Sequence, residues 1–211
     1  MTRPLVITDC DEVLMHMVVP FAEWVDAEHG VLFRMEDTSF ANALKRKECG
    51  TPLEAAEVWP LLDGFFRHEM GRQTPIPGAI AAMAAIGGQA DIVVLTNVGP
   101  DHQQRRADQL RALGFHAPVI GSRGGKGAPV RRLIEERSPS VAVFIDDLAN
   151  HHRSVAIEAP QVWRLHMVGE PAIAGRVPPT RHAHARIDEW SAALAWVLAR
   201  LADNIPAPEL A

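Results

Sequence analysis

Two aspartates stand one residue apart in Leu5-Val6-Ile7-Thr8-Asp9-Cys10-Asp11, and a second acidic pair closes Val141-Ala142-Val143-Phe144-Ile145-Asp146-Asp147. Each pair follows an apolar run, and an extended segment leaving a strand can aim Asp9 and Asp11 into one cleft. Carboxylates brought together in this way repel one another unless a cation lies among them. All-oxygen donors suit a hard divalent ion, Mg2+ first, so Asp9, Asp11, Asp146 and Asp147 are the candidate metal ligands. A single acidic residue at a strand end also serves merely to solvate a loop, but two pairs at matching ends fit that role poorly. Thr96 directly follows another apolar run, Ile92-Val93-Val94-Leu95, and precedes Asn97. Its hydroxyl and the neighbouring backbone N–H groups can donate to phosphate oxygens, which makes Thr96 and Asn97 candidate phosphate binders.

Lys126 stands in Gly124-Gly125-Lys126-Gly127. The chain holds three lysines against eighteen arginines, and the other two lysines, Lys45 and Lys47, lie far off in sequence. A chain that otherwise uses Arg for its positive charge points to Lys126 as a compact ammonium donor, a third phosphate-binding candidate. It is not a Walker loop, which needs Gly at position 120 and Ser or Thr at 127, where Ile120 and Gly127 stand. The histidines show no zinc-site spacing, and His182 and His184 read as surface residues. His151, just past the acidic pair, is open to either reading. Cys10, between two aspartates, is a poor thiolate because negative neighbours raise its pKa.

The elements that must position these residues follow from the pattern of apolar runs. Runs at 5–8, 91–96, 118–120, 141–147 and 162–167 are continuous rather than alternating, as in parallel strands buried on both faces. Helical patterns cover 76–87, 101–113, 128–137 and 188–202, the second ending at Gly114. This alternation predicts a Rossmann-like α/β domain, a parallel sheet with helices on both faces, whose ligands gather at the strand C-terminal ends. Residues 16–75 break the rhythm. They carry amphipathic stretches around 20–29 and 51–70 with no convincing strand, which predicts a helical insertion after the first strand. The expected organisation is a discontinuous core of 1–15 and 76–205, the insertion of 16–75, and a frayed Pro-containing tail of 206–211.

Composition sets the outer bounds. The chain has 211 residues, 47% hydrophobic and 22% charged, which excludes disorder as the main state. A net charge of −5 argues against nucleic acid or an anionic membrane as partner. Two cysteines make no disulfide framework, and the first residues are too polar for an export signal, so a reducing cytoplasm is expected.

The order Asp-x-Asp, Thr, Lys, Asp-Asp resembles the four motifs of the haloacid dehalogenase-like superfamily, whose members are mostly Mg2+-dependent phosphatases. Leu5 to Leu14 is similar to the first motif, the run ending at Thr96 to the second, Lys126 to the third, and Phe144-Ile145-Asp146-Asp147 to the fourth. Pro75-Ile76-Pro77-Gly78 resembles re-entry into the core after a helical cap, which 16–75 would then form. The resemblance implies Asp9 as nucleophile and metal ligand, and Asp11 as general acid and base with its carbonyl on the metal. It implies Thr96 and Lys126 as the groups holding the transferring phosphoryl. Asp147 would bind the metal directly, with Asp146 on a metal-bound water or positioning Lys126. An aspartate two positions after the nucleophile distinguishes the phosphatases from the dehalogenases. Two departures stand out: Val13 where Thr is usual, and Asn150-His151 where an acidic residue is usual after the fourth motif.

The expected activity is thus hydrolysis of a small phosphorylated metabolite through an aspartyl-phosphate. The alternatives are a phosphotransferase or phosphomutase using the same intermediate, and a non-enzymatic phospho-accepting signalling domain. The last fits poorly with an acidic pair so late in the chain. Substrate choice is expected from the insertion, with Trp24, Phe33, Arg34, Arg46 and Lys47 as candidates. Oligomeric state is left open.

Overall fold

Alternation inside the apolar runs decides which face of the sheet each side chain serves. In β1 (Leu5–Thr8), Leu5 and Ile7 join Val93, Leu95, Ala142 and Phe144 in one buried cluster. Val6 points the other way and joins Ile92, Val94, Val143 and Ile145. With both faces covered there is no polar side, which is why the runs read as continuous. The structure is a computed structural model that describes residues 2–34 and 43–210. Residues 35–42 of the expected insertion and Ala211 of the expected tail lie outside the described residues.

After β1 the core strands run as β4 (Asp91–Thr96), β5 (Val119–Gly121), β6 (Ala142–Asp146), β7 (Trp163–His166) and β8 (Ala185–Arg186). They form a six-stranded sheet in the order β5-β4-β1-β6-β7-β8, every pair parallel. One face is covered by α3 (Ala79–Gly87), α4 (Pro100–Ala112) and α8 (Trp190–Asp203), and the other by α5 (Gly127–Arg137) and α6 (Ala149–Glu158). The fold class is the expected Rossmann-like α/β. Because the chain builds outward from β1 through β4 to β5 and then returns to the other side at β6, the switch point lies at the end of β1. A crevice opens there between β4 and β6.

Between β1 and α3 lie α1 (Val18–His29), β2 (Val31–Phe33), β3 (Leu44–Arg46), α2 (Ala55–His68) and a 3-10 turn at Met70–Arg72. The expectation of a strand-free insertion is corrected: β2 and β3 pair as an antiparallel ribbon. Strands of three residues are too short to show a period, so the sequence pattern could not reveal them. The segment buries its own core of Phe21, Val25, Leu44, Val58 and Phe65, with Phe21 edge-on to Phe65 at 5.4 Å. Glu54 starts α2 with a capping box closed by Glu57. The two linkers that join this segment to the sheet run side by side, with His16 N–H donating to the Thr74 carbonyl at 3.0 Å.

Three further differences concern the C-terminal half. Helix α6 and strand β8 were not foreseen, nor was the short α7 (Pro171–Ala174). The chain is tied to the core at Ile205 and, within the tail, at Ala207 and Pro208. Trp163 Nε1 donates to the Ile205 carbonyl at 2.8 Å, Ala207 N–H to the Gln161 carbonyl at 2.9 Å, and His184 Nε2 lies 3.0 Å from the Pro208 carbonyl. His184 is thus half-buried rather than a surface residue. Among the described residues no helix is long and apolar enough to cross a membrane.

Candidate active site

The chain leaves β1 in a tight turn. Leu14 and Met15 N–H both donate to the Cys10 carbonyl, at 2.7 and 2.9 Å, and Glu12 adopts a left-handed φ of 61°. A non-glycine residue in that region is strained and is held only where its surroundings over-determine it. Here the Glu12 carboxylate accepts N–H bonds from Met17 and Val18 at the start of α1, and its carbonyl accepts Gly169 N–H. Burial pushes the Glu12 carboxyl up to about 7 despite these bonds. The turn sets Asp9 and Asp11 facing one cavity. Asp9 N–H is fixed to the Ile145 carbonyl at 2.8 Å, and its Oδ1 accepts Cys10 N–H at 2.7 Å. Cys10 itself is buried, and burial pushes its thiol far above the usual range, so it is no nucleophile.

Lys126 is fully buried, with Nζ 2.7 Å from Asp9 Oδ2 and 2.7 Å from Asp146 Oδ2. It reaches this position from the start of α5, which packs tightly on α6. A Cβ at Gly127 would lie 2.2 Å from the Ser154 carbonyl oxygen, so only glycine allows the approach. Burial works against the ammonium charge, but the carboxylates of Asp146 and Asp9 outweigh it and hold Lys126 protonated. Asp146 feels the same burial, and the charge of Lys126 with the hydrogen bond from His151 holds it well below the ordinary carboxylate range. Its other oxygen, Oδ1, accepts Leu148 N–H at 2.8 Å and faces His151 Nδ1 at 3.0 Å. Asn97 Nδ2 donates to the Gly124 carbonyl at 3.1 Å and meets His151 Nε2 at 3.2 Å, while its Oδ1 accepts the Ser122 hydroxyl. This network assigns the proton of a neutral His151 to Nδ1. Asn97 is therefore a brace between loops, its amide already engaged.

Thr96 ends β4 fully buried, and its hydroxyl is a buried group with no hydrogen-bond partner, an uncommon state with a cost of about 1–3 kcal/mol. It lines the same cavity as Asp9, Asp11, Asn97, Asp147 and His151. Burial first, then the charges of Asp146 and Asp9, push the Asp147 carboxyl well above its ordinary value. Asp9 rises to about 6, chiefly through burial, with Lys126 opposing. Carboxylates thus outnumber the cations beside them: Lys126 serves Asp9 and Asp146, and Arg106 serves Asp11. Asp9, Asp146 and His151 each offer an atom within 4.8 Å of the others. An excess of buried, oxygen-bearing negative charge around one cavity is the donor set of a hard divalent cation, so these residues fit Mg2+. The sequence-predicted positions 9, 11, 96, 97, 126, 146 and 147 all meet at this crevice.

No protein-family model matches the chain, and no curated protein does. Solved structures do. A haloacid dehalogenase-like hydrolase from Streptococcus pneumoniae matches at 14% identity and a TM-score of 0.62, over 92% of this chain and 98% of its own. A protein described as a predicted phosphoglycolate phosphatase from Haemophilus somnus matches at 15% and 0.62, over 93% and 99%. A defluorinating L-2-haloacid dehalogenase matches at 13% and 0.60, over 93% and 95%.

The chain has the haloacid dehalogenase-like fold.

On this fold α4 carries a polar stripe that faces the insertion. His102, Arg105, Arg106 and Gln109 recur at helical spacing on one side of α4. Each of them bonds the insertion or its linker. His102 Nε2 lies 2.7 Å from Asp63, Arg105 donates to the Arg67 carbonyl at 2.6 Å, and Gln109 donates to the Met70 carbonyl. Arg106, fully buried, donates to Asp11 Oδ1 at 2.7 Å and to Gln73 Oε1 at 3.0 Å, and Gln73 Nε2 donates back to Asp11 Oδ1 at 3.2 Å. The polar stripe is legible as spacing beside the apolar stripe through Ala107 and Leu110, but its partners in the insertion are not. The residues expected to choose the substrate sit elsewhere. Trp24 and Phe33 pack inside the aromatic core of the insertion, Arg46 pairs with Glu57, and Lys47 with Asp26. Arg34 is tied through its backbone to Ala43. The cleft walls come instead from Met17, Val18, Trp59, Leu62 and Phe66.

Proposed function

We propose that the protein is a hydrolase that releases phosphate from a small phosphorylated metabolite with Mg2+ as cofactor. The observation that carries this reading is the Lys126 ammonium held 2.7 Å from Asp9, beside a buried Thr96 hydroxyl that has no protein partner. A phosphoryl group bound there would accept from both. Asp9, the Asp11 carbonyl and Asp147 would hold the metal, with Asp146 orienting Lys126. When bound, the metal supplies charge neutralisation between the phosphoryl oxygens and the carboxylates. That also fits the raised pKa of Asp9, whose role requires the ionised form.

Asp9 attacks phosphorus in line and the bond to the ester oxygen breaks, the leaving oxygen taking a proton from Asp11. Water then gives its proton to Asp11 as it attacks the same phosphorus, freeing Asp9 and inorganic phosphate. Arg106 and Gln73 occupy Asp11 Oδ1, which leaves Oδ2 to carry the proton. The presence of Asp11 sets this chain apart from dehalogenase chemistry, which needs no acid at that position. Residues 16–75 act as a cap over the core of 1–15 and 76–205, a role supported by the cleft being walled from both. Two unpaired cysteines suit a cytoplasmic protein.

The test is phosphate release from a panel of phosphomonoesters. Release is expected with Mg2+, lost on adding EDTA, undiminished by added acceptor alcohols, and abolished in Asp9→Asn. Turnover persisting in Asp9→Asn would remove Asp9 as nucleophile.

A further inference from the structure

The cavity over the carboxylates, about 270 Å³, combines their polar groups with apolar lining from Met17, Val18, Leu62, Phe66, Ile173 and Val177. It shares Trp59, Leu62, Phe66 and Asn97 with an outer chamber of about 490 Å³, so the two adjoin. Trp59 stands at this mouth with 61% of its surface exposed, and Leu148 lies on the inner rim at 45%. Large apolar side chains left in water beside a cleft mark a binding surface.

The polar groups of the outer chamber are already spoken for. Asp63 is engaged by His102 and Arg67, and Ser122 donates to Asn97, whose amide is used by Gly124 and His151. A sugar placed here would bury hydroxyls against Trp59, Leu62 and Phe66 with little to bond them, and each unsatisfied group is costly. His102 Nδ1 is unpartnered but buried, and Arg123 is the exposed exception. It lines the outer chamber beside Gly99, and no acidic partner reaches it among the described residues.

We infer that the substrate is a phosphomonoester whose leaving group is an apolar, preferably aromatic, body ending in a second anionic group, seated on Trp59, Leu62 and Phe66 with its far end on Arg123. This rests on the phosphatase reading above and deepens it. A ring lies flat on Trp59 and Phe66 without requiring polar partners. The guanidinium of Arg123 matches a terminal carboxylate or phosphate bidentately.

The experiment compares four alkyl phosphates of similar leaving-group reactivity with Mg2+: 2-phenylethyl phosphate, its para-carboxylated analogue, glycerol 1-phosphate and glucose 6-phosphate. The two aromatic esters are expected to exceed the two polyols in kcat/KM by about ten-fold or more, with the carboxylated ester ahead. Arg123→Ala is expected to lower kcat/KM for the carboxylated ester roughly ten-fold more than for the plain one, as a lost charge-assisted bond does. Trp59→Ala, at an exposed position that folding does not depend on, is expected to raise KM for both aromatic esters. Polyol phosphates turned over as well as the aromatic esters, or an Arg123→Ala effect equal on both, would overturn the inference while leaving a phosphatase. Phosphate released from none of these, nor from p-nitrophenyl phosphate, would overturn the phosphatase reading itself and this inference with it.

Discussion

At the scale of single residues, Lys126 ties the site together. It is the one ammonium against two buried carboxylates, and removing one partner of such a cluster leaves charge without compensation. Lys126→Met is expected to abolish turnover and to destabilise the fold by about 3–5 kcal/mol, seen as a lower urea midpoint. An unchanged midpoint would mean that the carboxylates are neutralised by other means. The sequence showed Lys126 because of its rarity, and showed Asp9, Asp11, Asp146 and Asp147 because of their positions at strand ends. It could not show His151 as the neighbour of Asp146, because that bond depends on a turn of α6 that starts at Ala149. Nor could it show Arg106 on Asp11, a contact between positions 95 residues apart.

At the scale of elements, two local devices hold the frame. Gly127 lets α5 close on α6, so Gly127→Ala must push the start of α5 away from the Ser154 carbonyl and move Lys126 with it. Overpacking of this kind costs about 1–3 kcal/mol, so the expected result is a melting temperature lower by several degrees together with a reduced kcat. The glycine-rich loop reads from sequence as the carrier of the ammonium donor Lys126, and the structure makes its last glycine a packing residue. The second device is His184. Its Nδ1 accepts Arg164 N–H at 3.0 Å and its Nε2 faces the Pro208 carbonyl, so the fold binds the neutral ring. Burial first, with the Arg164 charge adding to it, holds its pKa below the ordinary 6.5. A depressed folded pKa means that this stabilisation is full above pH 6.5 and is lost as the pH falls below it. Amide protection at Ala207, corrected for intrinsic exchange, is expected to fall between pH 7.5 and pH 5, and in His184→Ala to be low at both. Protection independent of pH in the unaltered protein would contradict the assignment.

At the scale of the whole molecule, the parallel sheet was more legible than the way the pieces meet. Apolar runs buried on both sides announce a parallel sheet, and its switch point announces where ligands gather. The insertion was visible only as a break in rhythm. Its three-residue strands carry no period, and Trp24 and Phe33 stand in ring contacts of its own core, a role that large aromatic residues serve as readily as a cleft. What the assembled chain achieves is to bring a strand end near its beginning, a hydroxyl from its middle and a lysine after β5 to one buried, negatively charged crevice. There Asp9 is expected to be phosphorylated to an acyl phosphate during turnover. The most direct measurement is mass spectrometry of the protein quenched during turnover and treated with borohydride, which reduces an aspartyl-phosphate to homoserine. Homoserine is expected at position 9 in the turning-over protein and none in Asp9→Asn. Steady phosphate release with position 9 unmodified, or with the label at another residue, would contradict it.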